Sequence, residues 1–224
     1  MTSDERVTSN QTQPSPLDSP LRSLFIGHSS SIILVIFITA FALFFSALAI
    51  QQHRAFLTNG LDLGNVDQAL WNTAQGRFLQ FTLMAPVESR LALHVEPILL
   101  FFVPFYWLNL GSPQLLLIVQ ATVVALGAWP LYQIARLHLS PIQPSNHPTI
   151  QPPNLQSPIS NLQLPLTPLL FPLTYLLLPT LQSAVLFDFH AVTMAPTFLL
   201  FAFLALERQQ NRRFFTLRGA GNGL

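Results

Sequence analysis

The chain has 224 residues, 50% of them apolar and only 8% charged, with a net charge of +1, no cysteine and no lysine. A charged fraction so far below the roughly one quarter of soluble domains points to a chain that crosses a lipid bilayer several times. The near-zero net charge gives a nucleic-acid partner no electrostatic support, and the lack of cysteine excludes disulfides and thiolate metal sites.

Residues 1–30 open with a polar stretch rich in Ser, Thr, Pro and Gln and are expected to be a disordered tail. Residues 31–50 follow without a charge. That is about 20 residues, enough for a hydrocarbon core of about 30 Å, and no small-residue cleavage site comes after them. They read as a signal-anchor helix. The polar segment 51–93 carries Arg54, Arg77, Glu88 and Arg90, and within it 65–74 has the pattern of a short amphipathic helix. Asn65 is the expected N-cap, Gln68 its capping-box partner and Gly76 the stop. Residues 95–110 are apolar but short. Pro97 and Pro104 break them, and they end in Phe105-Tyr106-Trp107, aromatics that favour the headgroup level.

A second span is expected over 113–135, with Gln120 inside it and Arg136 at its end. Residues 139–164 are dominated by Pro, Gln, Asn and Ser. The near-repeat of Asn154-Leu155-Gln156-Ser157-Pro158 in Asn161-Leu162-Gln163-Leu164-Pro165 marks a low-complexity insert. Residues 166–187 form a third expected span, Asp188-Phe189-His190 interrupts the apolar text, and 191–206 form a fourth. Gln120 and Gln182 are expected to bond neighbouring helices. Residues 207–224 read as a basic cytoplasmic tail with Arg208, Arg212, Arg213 and Arg218, ending in a Gly-rich run unlike the start of a span, as in a truncated product. The fold class predicted is all-α and polytopic, with about four spans and an interfacial helix in the first external loop.

Arginines beside a span favour the cytoplasm, which assigns Arg136, Arg208, Arg212 and Arg213 to that side. Parity then requires that 95–110 not cross and that both termini be cytoplasmic. Asp62, Asp67, His94, Glu96, Asp188 and His190 all fall on the external face. Ionisable groups at the mouths of spans are functional candidates, because they are costly there unless they face a cavity or a partner. Asp62 lies between two leucines with no arginine close in sequence. Asp67 is equally well explained as a carboxylate offsetting the dipole of the helix that begins at Asn65. His94 and Glu96 alternate before Pro97 and suit either a ligand or a hydrogen-bonded pair that seats the loop. Asp188 and His190 have the spacing of a carboxylate orienting an imidazole. The same His and carboxylate set suits a divalent metal, at a spacing of low specificity.

The stretch Leu61-Asp62-Leu63-Gly64-Asn65-Val66-Asp67-Gln68-Ala69-Leu70-Trp71-Asn72, then His94-Val95-Glu96-Pro97-Ile98-Leu99, then Phe187-Asp188-Phe189-His190, resembles an uncharacterised family of prokaryotic integral membrane proteins. That family looks related to the GT-C superfamily of polyprenyl-phosphate-dependent glycosyltransferases. The resemblance implies a first external loop with an essential acid, matched by Asp62, and a second acid at a later span end, matched by Asp188. In the better-known members the loop acids are adjacent or one apart, whereas Asp62 and Asp67 are five apart and share no helical face. The implied activity is sugar transfer from a lipid-linked donor outside the cytoplasm. Asp62, Asp188 and His190 are the expected catalytic residues, and Asp67, His94, Glu96, Arg77 and Arg90 the expected substrate-binding residues. The expected partners are the bilayer and the lipid-linked sugar. Other readings are a truncated, non-catalytic membrane protein and a transporter component. Against the transporter stands the lack of any ionisable residue deep in a main span.

Overall fold

A computed structural model describes residues 18–139 and 166–220, with side chains described over 29–139 and 166–209. The expected insert falls almost wholly, and the start of the N-terminal tail entirely, outside the described residues. So do the side chains of Arg212, Arg213 and Arg218.

Helix α1 (Asp18–Arg54) begins well before the expected start, so residues 18–30 are helical rather than disordered. Asp18-Ser19-Pro20 is a favourable opening, since Asp and Ser suit helix starts and proline is tolerated in a first turn. A π-helical turn (Gly60–Gly64) runs directly into α2 (Asn65–Ala74). The antiparallel hairpin β1 (Gln80–Met84) and β2 (Val87–Ser89) follows, forming the one sheet among the described residues. Short 3-10 turns at Arg90–Ala92 and Pro97–Phe102 lead into α3 (Val103–Trp107). Next come α4 (Pro113–Leu126) and α5 (Ala128–Leu139). Beyond the insert, a 3-10 turn precedes α6 (Leu170–Leu176) and α7 (Pro179–Leu186), and another at Ala191–Met194 opens α8 (Ala195–Ala220).

Among the described residues, three helical stretches are long and apolar enough to cross a membrane: Ser29–Arg54, Pro113–Leu139 and Ala191–Gln209. The pair Thr167–Leu176 and Pro179–Leu186, bent by 42°, makes a fourth if counted as one broken span. The protein is therefore an all-α membrane protein. The bend follows from Pro179, which pushes Leu178 into an extended conformation. Gln182 Nε2 then donates to the Leu176 carbonyl at 2.9 Å, satisfying an acceptor the break would orphan. The second span starts sharply at Ser112, whose Oγ accepts from the Leu115 N–H, with Pro113 at the first helical position.

Helix α1 packs along α4, and two cores lie along this pair. One, at the Pro113 end, joins Leu63, Val66 and Leu70 of the loop helix to Leu116, Leu117, Phe102 and Phe189. The other fills the bundle with Leu34, Phe41, Phe45, Val124, Tyr132, Leu169 and Val185. Contacts between Asn59 and Asp188 and between Asp62 and His190 mark one end of the bundle. His138 beside Glu207 at 3.7 Å marks the other.

Where α4 meets α5, Gly127 has no room for a side chain. A Cβ there would stand 2.5 Å from Tyr175 Oη and 2.8 Å from Thr197 Oγ1. Those hydroxyls donate to the Val124 and Val123 carbonyls at 3.0 and 2.9 Å, so the two helices touch the second span through its own backbone. Gly127→Ala is expected to lower stability by about 1–3 kcal/mol, as overpacked sites do. Thermal unfolding in detergent micelles checks this, and an unchanged Tm would contradict the close approach.

Three helices among the described residues end in a Schellman motif, with the residue after the cap in the left-handed region. In α2 that residue is Gly76 (φ 85°), after α3 it is Asn109 (φ 57°), and after α1 it is Phe56 (φ 58°). The diagnostic pair of bonds recurs each time, as in Leu57 N–H to the Gln52 carbonyl and Phe56 N–H to the His53 carbonyl. Gly and Asn tolerate this conformation; a phenylalanine bears a cost of about 1–2 kcal/mol.

Candidate functional site

The residues that converge are those at the two chain breaks, 59–62 and 187–190. Asn59 starts the helical run: its side chain accepts from the Leu61 N–H at 2.9 Å. Because the run begins at Gly60, Asp62 occupies its first turn, and Asn65 is an interior helical residue rather than the expected cap. Asn65 is fully buried, and among the described residues its Oδ1 has no partner. Gln68, expected to complete a capping box, bonds Thr82 of the hairpin instead.

Opposite this turn, α7 ends at Phe187 and the chain reverses through Asp188, in a left-handed conformation (φ 52°) that Asp adopts more readily than most residues. The Asp188 side chain is buried, and its Oδ2 accepts from the Asn59 N–H at 2.8 Å. The break is closed from α4. Gln120, fully buried, donates from Nε2 to the Asp188 carbonyl at 2.7 Å and to the Val185 carbonyl at 3.3 Å. Its Oε1 accepts from the His190 N–H at 2.7 Å. One amide thus stands in for the helical bonds that the interruption removes.

The His190 ring stacks on Phe187, and its Nδ1 lies 3.1 Å from the Phe187 carbonyl. A carbonyl only accepts, so this contact assigns a proton to Nδ1 and turns Nε2 toward Asp62. Nε2 and Asp62 Oδ1 are 3.6 Å apart, each side chain about one-third exposed. That separation is too long for a direct hydrogen bond. The neutral ring therefore sets two acceptors side by side, open to solvent, with no proton between them. The protonated ring makes an ion pair of the same atoms.

The other expected site residues are placed elsewhere. Arg90 is buried and grips Glu96 through Nη2 at 2.7 Å and Nε at 2.9 Å, so each spends its charge on the other. His94 is exposed and is not joined to Glu96. Arg77 holds Asn72 Oδ1 at 2.6 and 3.0 Å and lies over the Trp71 ring. Asp67 Oδ1 accepts from the Tyr106 hydroxyl at 2.6 Å. Burial raises the Asp67 carboxyl above its ordinary range, partly countered by the Tyr106 bond and by His53 nearby. Burial, with the Asp67 carboxylate, pushes the Tyr106 phenol far up, which keeps it a donor. Among the described residues, no three His, Asp or Glu side chains converge as ligands for a metal ion. Asn59 and Tyr106 were not among the expected site residues; the Asn59-Gly60 pair is the local signal that marks a turn and cap there.

Residues 52–218 match the model of a family described as "Predicted membrane protein (DUF2079)", which covers well over half of the chain. No curated protein and no solved structure matches.

Two predictions test this geometry. Gln120→Met orphans two carbonyls and an N–H, each unsatisfied group costing about 1–3 kcal/mol. Gln182→Met orphans one carbonyl. The Gln120 variant should therefore lose more Tm than the Gln182 variant, and the His190 amide should exchange faster with deuterium; equal losses would remove the clamp. At Asp67 the raised carboxyl binds protons more tightly in the folded chain, so stability declines as pH rises from the ordinary value of 3.8 through the raised one. Asp67→Asn keeps an acceptor for Tyr106 without a buried charge. Its Tm should exceed the parent's at neutral pH, with the gain vanishing below pH 3.8.

Proposed function

We propose that this chain, which belongs to the DUF2079 family of predicted membrane proteins, transfers a sugar from a polyprenyl-phosphate donor to a hydroxyl acceptor at the membrane surface, in the manner of the GT-C superfamily it resembles. The observation that carries the reading is the open pair of Asp62 Oδ1 and His190 Nε2, 3.6 Å apart at the mouth of the bundle. Two acceptors with no proton between them suit a pair of neighbouring hydroxyls, as on a sugar, one donating to each. The Asp62 carboxylate takes the hydroxyl proton as the acceptor oxygen bonds to the anomeric carbon. The bond from that carbon to the phosphate oxygen breaks, and its electron pair leaves with the polyprenyl phosphate. A second hydroxyl of the acceptor sugar donates to His190 Nε2, which holds the acceptor in line.

Asp188 acts in this scheme as a positioning residue, since its carboxylate is buried and engaged by Asn59. Arg77, exposed on its Trp71 platform, is the arginine of the expected pair suited to the donor phosphate, because Arg90 is committed to Glu96. The reaction faces the external side of the membrane, and the donor reaches it from the bilayer.

Asp62→Asn tests the reading directly. A membrane preparation holding the chain and a radiolabelled polyprenyl-phosphate sugar should lose transfer by about 10²–10⁴-fold, as when a general base is removed. The variant's level in the membrane should not change. Full transfer by the variant would sink the role given to Asp62.

A further inference from the structure

The turn that follows the first span combines a strained backbone with an exposed apolar pair. Phe56 is 94% exposed, and Leu57 beside it is nearly as free. Phe56 also occupies the left-handed position of the Schellman motif, where α2 has Gly76 and α3 is followed by Asn109. Among the described residues no packing offsets that strain, because the ring is almost wholly exposed.

We infer that the Phe56–Leu57 turn is an interfacial anchor, seated at the headgroup–acyl boundary of the bilayer that the spans cross. The turn directly follows the span of lipid length in α1, on whose uncharged stretch Ile36, Leu43 and Phe44 are exposed. Arg54, exposed two residues before Phe56, is positioned for a lipid phosphate, with its apolar stem lying along the acyl region. Aromatic rings prefer this level of the membrane. The two Schellman bonds, 3.1 Å to the His53 carbonyl and 3.0 Å to the Gln52 carbonyl, fix the turn to the helix end, so the ring projects from a rigid mount. Leu61 and Phe187 widen the apolar rim on the side of the Asp62–His190 pair, which therefore opens at the depth of lipid headgroups. The inference concerns the surface and holds whether or not that pair is catalytic.

The chain has no cysteine, so Phe56→Cys, Leu57→Cys and Glu88→Cys each give one labelling site. Each variant is labelled with an environment-sensitive nitrobenzoxadiazole probe in vesicles of phosphatidylcholine and phosphatidylglycerol. Probes at positions 56 and 57 should emit to the blue of the probe at position 88. Lipids spin-labelled near the headgroup should quench them about threefold more strongly, as for groups about 5–10 Å below the surface. Leu57→Cys leaves the strained residue untouched and serves if Phe56→Cys does not fold. Quenching by aqueous iodide with no response to spin-labelled lipid would place the turn in water and overturn the inference. Blue emission that ignores the lipid quencher and vanishes on dilution into excess lipid would overturn it too, by assigning the patch to a second copy of the chain.

Discussion

A single buried amide holds the two halves of this protein in register. Gln120 sits on α4 with no exposure, and an unpaired amide there would be costly. Its three bonds go to the stretch after α7 where the helical ladder is lost, at Val185, Asp188 and His190. Satisfying the amide fixes how α4 lies against that break. The break in turn presents the Asp188 carboxylate to the Asn59 N–H and thereby seats the turn that carries Asp62. The juxtaposition of Asp62 and His190, distant in sequence, is the last link of this series.

The acids near this end are not equivalent once their surroundings are compared. Glu96 is neutralised by Arg90, Asp67 is tied to Tyr106, and Asp188 is occupied by a backbone N–H. Asp62 keeps an open carboxylate beside an imidazole whose far nitrogen is already engaged. A group that has spent its hydrogen-bonding capacity holds structure in place; one that has not remains available to a ligand. That contrast, more than proximity to a span, separates Asp62 and His190 from Asp67, Glu96 and Asp188.

Much of the architecture was legible because apolar length is a direct physical requirement of crossing a bilayer. The uncharged run after residue 31, the interruption at 188–190 and the proline-broken 95–110 segment all correspond to features of the structure. Gln120, expected to bond a neighbouring helix, does so, while Gln182 bonds back across the bend of its own broken span. Pairings that arise from packing were not legible. Arg90 meeting Glu96, six residues on, depends on the turn at Arg90–Ala92, and Asp67 meeting Tyr106, 39 residues on, depends on how α2 and α3 fold over one another; no residue pattern encodes either. The helix start at Asn59 was hidden for a different reason. Asn65 is an equally good cap by residue type, and only the π-helical turn over Gly60–Gly64 makes it an interior position.

The same accounting explains why the spans can be so irregular. Backbone that leaves the helical ladder at membrane depth must find partners inside the protein, since lipid supplies none. Each departure here is met by a polar side chain. Gln120 closes the break after α7, Gln182 the bend between α6 and α7, and the hydroxyls of Tyr175 and Thr197 cover the Val124 and Val123 carbonyls beside Gly127. Among the described residues, these four side chains are thus spent on the irregular points of the spans, while Asp62 and His190 keep open hydrogen-bonding capacity at the mouth of the bundle. The proposed surface reaction draws on that capacity.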